Sequence, residues 1–151
     1  MAARNTLAIE VIRVVVFLAL SIPITIVDLR ERRIPDPLSL GGTALLALYD
    51  AFLRPSELVP EMASGLFAFC VFGALYLLTR GLGFGDVKYA VCIAFFVGIP
   101  AFFIAMFVSA LCAIVFWLAA AKNARERRRQ KRPFAPFLTI GAISACACIF
   151  G

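Results

Sequence analysis

Residues 81–88 read GLGFGDVK and separate two long apolar runs. Three glycines, the carboxylate of Asp86 and the ammonium of Lys88 fall within these eight residues. An ionisable side chain at such a junction in an apolar chain is a candidate for chemistry. The apolar runs therefore decide the fold, and Asp28, at the end of the first apolar run of the chain, is the candidate partner for Asp86.

The composition is that of an integral membrane protein. Of the 151 residues, 63% are hydrophobic and only 16% are charged, and the mean hydropathy is +0.97. Soluble domains are typically about 45–50% apolar and about 25% charged, so a soluble fold of this length could not bury the apolar surface. We expect a single transmembrane domain over residues 1–151, without a soluble domain.

Two residue types restrict the chemistry. The chain has no histidine, which excludes zinc proteases of the H-E-x-x-H kind and nucleophiles activated by a histidine. Its five cysteines lie in apolar runs without C-x-x-C spacing, so neither a disulfide framework nor a metal site is predicted. No cofactor is expected.

The apolar pattern predicts an all-α polytopic membrane protein with six transmembrane helices. The predicted segments cover residues 7–27, 38–53, 58–79, 86–98, 101–121 and 134–150. The run from Val87 to Ala121 is too long for one span, and residues 98–100 (GIP) divide it. The fourth segment is short, because thirteen helical residues cover about 20 Å against a hydrocarbon core of about 30 Å. Either its helix continues through the division with a kink, or residues 81–86 enter the membrane.

Polar residues near the segment ends give local predictions. Glu10 and Arg13 are spaced i, i+3 and can form an ion pair on one helix. Asp36 followed by Pro37 is typical of an N-cap with proline at the first helical position. Asp50, near the far end of the second segment, is expected to reach the membrane interface.

Glycines and other small residues indicate close backbone approach. In membrane helices, pairs such as Ser64-Gly65 and Gly73-Ala74 favour close helix contacts. Gly83 and Gly85 flank the acidic residue and allow either close approach or a positive φ beside it.

The basic residues predict the orientation in the membrane. Twelve of the fifteen Lys and Arg residues fall in the first, third and fifth loops, and seven of these lie within residues 122–133. Because basic residues mark cytoplasmic loops, both termini are predicted on the non-cytoplasmic side. The basic loop is expected to contact anionic membrane lipid, and nucleic acid is not an expected partner.

In this orientation Asp28 ends the first helix and Asp86 begins the fourth, both at the cytoplasmic face. If the two carboxyl groups meet, they need not both ionise, which leaves one carboxylic acid beside one carboxylate. Such a pair activates water as a base and protonates a leaving amine as an acid. As alternatives, Asp86 caps the fourth helix, Asp28 pairs with Arg32 at i, i+4, and Lys88 only sets topology or binds lipid phosphate.

At three places the chain resembles the type IV prepilin peptidase family. Asp28 followed by Pro35 and Asp36 resembles the first motif of that family, and residues 83–88 (GFGDVK) resemble its second, G-x-G-D-x-K. Residues 133–138 (PFAPFL) are similar to the proline-aromatic stretch that opens its last helix. The three matches occur in the order of the family and span most of the chain.

The resemblance implies a polytopic aspartic protease that cuts prepilin leader peptides at the cytoplasmic face of the bacterial inner membrane. It implies Asp28 and Asp86 as the catalytic pair, with supporting roles for Pro35, Asp36, Gly83, Gly85 and Lys88. Cleavage in the family falls after a glycine that precedes the hydrophobic helix of the pilin. Pilus assembly machinery is a further candidate partner.

Within the family, the small size is similar to the peptidases of tight-adherence (Flp-type) pili, with archaeal preflagellin peptidases as neighbours. Larger members carry a cytoplasmic region with paired cysteines and methylate the new N-terminus, so N-methyltransferase activity is not expected here. The family often has asparagine where this chain has Asp36, which makes Asp36 a second candidate for the carboxylate near residue 28.

Two functions of other classes remain open at this stage. A small proton-coupled transporter would use Asp28 and Asp86 as titrating sites, since intramembrane carboxylates and glycine-interrupted helices are common in transporters. A non-catalytic membrane assembly subunit would tolerate neutral substitutions at both aspartates. Uptake into proteoliposomes distinguishes the first function from a peptidase, and the substitutions distinguish the second.

Overall fold

A computed structural model of the chain describes residues 2–31, 34–79, 82–120 and 134–150. These residues form five helices: α1 (Ala2–Glu31), α2 (Asp36–Leu53), α3 (Pro55–Leu78), α4 (Phe84–Ala120) and α5 (Ala135–Phe150). Three segments in the described chain are long and apolar enough to cross a membrane: Ala8–Glu31, Pro55–Leu78 and Phe84–Ala119. An all-α protein with apolar helices of membrane-spanning length is thus confirmed, whereas six spans and the side of the termini stay predictions. The predicted basic loop, 122–133, lies outside the described residues.

Helix α4 is the central element, because it packs against α2, α3 and α5. Its first half is enclosed on most sides, and Val87, Tyr89, Ala90, Ile93 and Ala94 are all 0% exposed. A helix that is apolar all round is stable where other protein covers it. The short segment that begins at Asp86 in the sequence is therefore surrounded by other helices along most of its length.

A sharp break divides α4 at Gly98. The backbone there has φ 75° and ψ 168°, a conformation essentially confined to glycine. In the part of the chain that the structure describes, no atom lies within 4 Å of the position that a Cβ of residue 98 would occupy, so the backbone conformation, and not packing, requires the glycine. The predicted division at residues 98–100 is confirmed, with helical halves at 84–97 and 99–120.

The start of α2 differs from the prediction. Pro35, with extended backbone, occupies the N-cap position, and Asp36 and Pro37 lie in the first helical turn. The Asp36 side chain makes no capping hydrogen bond. The prediction of Asp36 as the N-cap is wrong by one position, because Pro35 already supplies the extended backbone that precedes a helix.

Five charged residues join α1, α2 and α3 in what we call the Arg13 cluster: Glu10, Arg13, Asp50, Arg54 and Glu61. Arg13 Nη2 lies 3.2 Å from Asp50 Oδ2 and also pairs with Glu61 Oε1. Arg54 Nε lies 3.1 Å from Glu10 Oε1. The predicted Glu10–Arg13 pair is therefore replaced by pairs between helices. The interfacial position of Asp50 stays a prediction, and the structure adds that Asp50 is 0% exposed and faces the Arg13 guanidinium across the helix contact.

The small residues have unequal roles. A Cβ on Gly65 would lie 3.6 Å from Val91 and 3.7 Å from Phe95, so α3 approaches α4 there as predicted. Around Gly73, by contrast, nothing in the described chain lies within 4 Å of a Cβ. The close contact predicted at Gly73 is wrong, because this residue faces away from the neighbouring helices.

Candidate active site

Asp28 lies in the last turn of α1 and is 4% exposed. Its Oδ2 accepts a hydrogen bond from the backbone N–H of Ala135 at 3.0 Å, the first residue of α5. The first N–H groups of a helix have no partner within the helix and lie at the positive end of its dipole. The Asp28 carboxylate therefore caps α5 from another helix. Its alternative partner, Arg32, lies outside the described residues.

Asp86 is the third residue of α4 and is partly exposed. Its Oδ2 accepts a hydrogen bond from the Gly83 N–H at 3.0 Å, while its own N–H donates to the Gly83 carbonyl at 3.1 Å. A side chain at this position that reaches back to the residue before the helix forms half of a capping box. The capping alternative is thus confirmed in a modified form, with Gly83 at the N-cap. Because a carboxylate offers about four acceptor sites, this bond leaves room for a chemical role.

Asp28 and Asp86 lie at the same end of the bundle. Asp28 comes from the end of α1 and Asp86 from the start of α4, and Asp28 contributes to the electrostatic environment of Asp86. Asp28 is buried, whereas Asp86 is partly open. The arrangement places one shielded and one accessible carboxyl group at the same end of the bundle.

The glycines around Asp86 serve close approach. A Cβ on Gly85 would lie 2.9 Å from the Ile34 Cβ, and one on Gly83 would lie 3.1 Å from Asp86 Oδ2. The alternative prediction, a positive φ beside Asp86, is wrong, since Gly98 is the only glycine of the described residues that has a positive φ. Gly85 instead lets the start of α4 pack directly against the segment that contains Pro35.

Lys88 helps to hold residues 34–36 against α4. Its Nζ lies 2.8 Å from Asp36 Oδ1 and 4.8 Å from the centroid of the Phe84 ring. Asp36 is far more exposed than Lys88, at 61% against 15% of the side chain. The ion pair and the contact at Gly85 together hold residues 34–36 beside the start of α4, so all five supporting residues of the sequence analysis lie at this end of the bundle.

Sequence reasoning missed three side chains, which we call the hydroxyl cluster: Thr25, Tyr89 and Thr139. The Thr139 hydroxyl donates to the Ala135 carbonyl at 3.0 Å. Its oxygen lies 2.7 Å from the Tyr89 hydroxyl and 2.9 Å from that of Thr25, so both of these donate to Thr139. Thr25 precedes Asp28 by three residues and Tyr89 follows Asp86 by three. This helical spacing, which puts each hydroxyl one turn from an aspartate, was the signal in the sequence that could have identified them. The cluster joins α1, α4 and α5 one turn from the two aspartates.

The chain shows similarity to proteins of known family. A model of the Type IV leader peptidase family matches residues 15–118. The prepilin leader peptidase/N-methyltransferase of Bacillus subtilis (strain 168) is 29% identical over 150 residues, which cover 94% of this chain and 58% of that protein. The protein of the same name from Aeromonas salmonicida (strain A449) is 26% identical over 125 residues, covering 79% and 43%. The chain thus spans less than two thirds of the length of these relatives. No solved structure matches it.

Proposed function

We propose that this chain, which belongs to the type IV leader peptidase family, is a membrane aspartic endopeptidase. In this proposal it removes the leader peptides of Flp-like prepilins. Family membership supports the peptidase activity, and prepilin is the substrate in the names of the similar proteins. The reaction belongs at the cytoplasmic face of the bacterial inner membrane. Membrane lipid surrounds the enzyme, and pilus assembly machinery receives its product.

The observation that supports the proposal is the placement of Asp28 and Asp86 at one end of the bundle. The two residues lie on different helices and far apart in sequence, yet Asp28 contributes to the electrostatic environment of Asp86. Each is held through one oxygen by a backbone N–H at 3.0 Å. These bonds fix the orientation of the carboxyl groups and leave other acceptor sites for water and substrate.

In the proposed mechanism the two aspartates share one proton. The ionised carboxylate takes a proton from water, and the resulting hydroxide oxygen bonds to the carbonyl carbon of the scissile peptide. The C–N bond then breaks, and the carboxylic acid gives its proton to the leaving amine nitrogen. One proton has been gained and one lost by the pair, so the two carboxyl groups exchange roles and the enzyme is ready for the next substrate.

The proposal is limited to the peptidase reaction. The relatives carry N-methyltransferase in their names, whereas the five cysteines of this chain have no C-x-x-C spacing. We therefore expect the cleaved pilin to leave with an unmethylated N-terminus. The mass of the product peptide, measured with S-adenosylmethionine present, distinguishes the two outcomes.

Asparagine substitutions test the pair with little structural change, because an amide oxygen still accepts the bonds from Ala135 and Gly83. Asp28→Asn and Asp86→Asn should each abolish cleavage of a co-expressed prepilin while the protein accumulates in the membrane. Glu57→Gln, at an exposed position on α3, is the matched control and should cleave normally.

The same assay decides between the carboxylates near residue 28. If Asp36→Asn is inactive while Asp28→Asn cleaves, the pair consists of Asp36 and Asp86. Normal processing by Asp86→Asn would contradict the aspartic mechanism. Sequencing of the new N-terminus after cleavage in vitro identifies the bond that is cut.

A further inference from the structure

The Arg13 cluster lies at the opposite end of the bundle from the two aspartates. Fifteen positions on α1 separate Arg13 from Asp28, which is about 22 Å of helix. Arg13, Asp50 and Glu61 are 5%, 0% and 6% exposed. A group of charges this deep in an apolar chain carries a large desolvation cost, so its internal balance of charge has to be nearly complete.

The balance is not complete when every member is ionised. The cluster has three carboxylates, Glu10, Asp50 and Glu61, against the two guanidinium groups of Arg13 and Arg54. One negative charge is left over. An uncompensated charge in such surroundings is removed by binding a cation or by protonation.

The hydrogen bonds show where a proton belongs. Among the described residues, neither oxygen of Asp50 nor Oε2 of Glu61 accepts a hydrogen bond, although all three atoms are buried. The guanidinium nitrogens near Asp50, Arg13 Nη2 at 3.2 Å and Arg54 Nη1 at 3.6 Å, form ion pairs with it without hydrogen-bond geometry. The two carboxyl groups nevertheless lie side by side, because Asp50 Oδ2 and Glu61 Oε1 both contact the same nitrogen, Arg13 Nη2. Two ionised carboxylates offer acceptors only, whereas a protonated one supplies the missing donor.

We infer that the Arg13 cluster is a proton-binding site, in which Asp50 and Glu61 share one proton. The proton neutralises the surplus charge and forms an O–H···O hydrogen bond between the two residues. Glu61 Oε1 pairs with Arg13 and lies 3.1 Å from Arg54 Nη1, which orients the rest of the carboxyl group. The inference is independent of the proposed peptidase.

The other groups that face the site do not supply the donor. Tyr49 donates its hydroxyl to the Ile9 carbonyl at 2.7 Å, and α4 contributes the Phe95 carbonyl, 3.3 Å from Arg13 Nη2, and the Phe96 ring. Glu57 and Cys146 line an adjoining cavity of about 590 Å³, whose wall includes Glu61 and the break in α4. The cavity gives solvent protons a place from which to reach Glu61.

Infrared spectroscopy tests the site directly, because a protonated carboxyl group has its own carbonyl stretch. A background that carries both Asp28→Asn and Asp86→Asn removes any signal from the catalytic pair. In that background we expect one such signal at neutral pH, lost in Glu61→Gln and in Asp50→Asn. Glu57→Gln should retain it.

Stability gives a second measurement on the same proteins in detergent. The unfolded chain releases the proton above the ordinary carboxyl pKa of about 4.3, whereas the folded site keeps it. The melting temperature should therefore fall as the pH rises, and this fall should be smaller in Glu61→Gln, whose amide keeps a donor at every pH. In Glu57→Gln it should match the unsubstituted protein.

Three results would overturn the inference. The first is a carboxyl signal that survives in both amide variants. The second is failure of both variants to fold, since each amide supplies the donor that the site requires. The third is a melting temperature that rises with sodium at constant pH and ionic strength without any carboxyl signal, which would identify a metal cation in place of the proton.

Discussion

At Asp28 one side chain is assigned two tasks. Its carboxylate caps α5 through the Ala135 N–H and, in the proposed mechanism, also belongs to the catalytic pair. The cap needs only an acceptor oxygen, whereas acid–base chemistry needs a group that titrates. Substitutions can therefore separate the two tasks at this single position.

Asp28→Ala should be less stable than Asp28→Asn, although both should be inactive. Alanine leaves the first N–H of α5 without its acceptor, and loss of a cap costs about 0.5–2 kcal/mol. Denaturation of the two purified variants in the same detergent measures the difference, and the shared loss of charge cancels in the comparison. Equal stability would mean that the hydrogen bond to Ala135 contributes nothing to the fold.

Gly98 and Gly141 illustrate what sequence can predict at the level of a residue. Gly98 with Pro100 marks a break because both act on their own backbone, so the local sequence contains the cause. Gly141 gave no signal, since its importance comes from Ala105 and Ser109 on another helix. The same limit applies to Arg13, whose partners depend on how α1, α2 and α3 are rotated against one another.

Among the helices, the contact of α4 with α5 depends on a missing side chain. A Cβ on Gly141 would lie 2.1 Å from both the Ala105 carbonyl oxygen and the Ser109 Oγ. The backbone oxygen cannot move without shifting α4. Helix propensity alone would favour alanine over glycine by about 1 kcal/mol, so the two effects have opposite signs.

Gly141→Ala should lower the free energy of unfolding by about 1–3 kcal/mol or more, the usual cost of overpacking. Gly73→Ala is the matched control, since its Cβ would meet nothing among the described residues within 4 Å, and it should be neutral or slightly stabilising. Thermal denaturation of both variants checks the contrast. Two variants of equal stability would contradict the close approach of α4 and α5.

The hydroxyl cluster, which joins α1, α4 and α5, leads to a further prediction about stability. Thr139→Val keeps the shape of the side chain but leaves the buried hydroxyl of Tyr89 without its acceptor. An unsatisfied buried donor costs about 1–3 kcal/mol. Thr79→Val, which removes an exposed hydroxyl bonded only within its own helix in the described structure, should change stability by less than about 0.5 kcal/mol. A small effect at Thr139 would mean that the Ser21 hydroxyl, which lies beside Tyr89, or water replaces the lost acceptor.

Across the whole molecule, the polar groups divide between two ends. Asp28, Asp86 and the Asp36–Lys88 ion pair lie at one end, and the Arg13 cluster lies at the other. The sequence predicted that the first group would share an end, because the positive-inside rule and the segment count place both aspartates beside odd-numbered loops. It did not predict the second group, since Asp50 and Glu61 lie on different helices and come together with Arg13 only when those helices pack.

The side of the membrane on which each end lies is a prediction that two exposed acids can test. Glu31 ends α1 beside the aspartates, and Glu57 lies in the first turn of α3 near the Arg13 cluster. Both are exposed, so a cysteine at either position would be open to a reagent in water. The background should have all five native cysteines replaced by alanine and should still cleave prepilin.

In intact cells, a membrane-impermeant maleimide that crosses the outer membrane should label Glu57→Cys and spare Glu31→Cys. In inverted inner-membrane vesicles the pattern should reverse. This outcome follows from twelve of the fifteen basic residues lying in the odd-numbered loops, because moving that charge outward opposes the positive-inside bias. The opposite labelling would place the aspartates outside the cytoplasm, where a cytoplasmic prepilin leader could not reach them. The labelling experiment therefore tests both the orientation predicted from the charge distribution and the proposed cytoplasmic substrate.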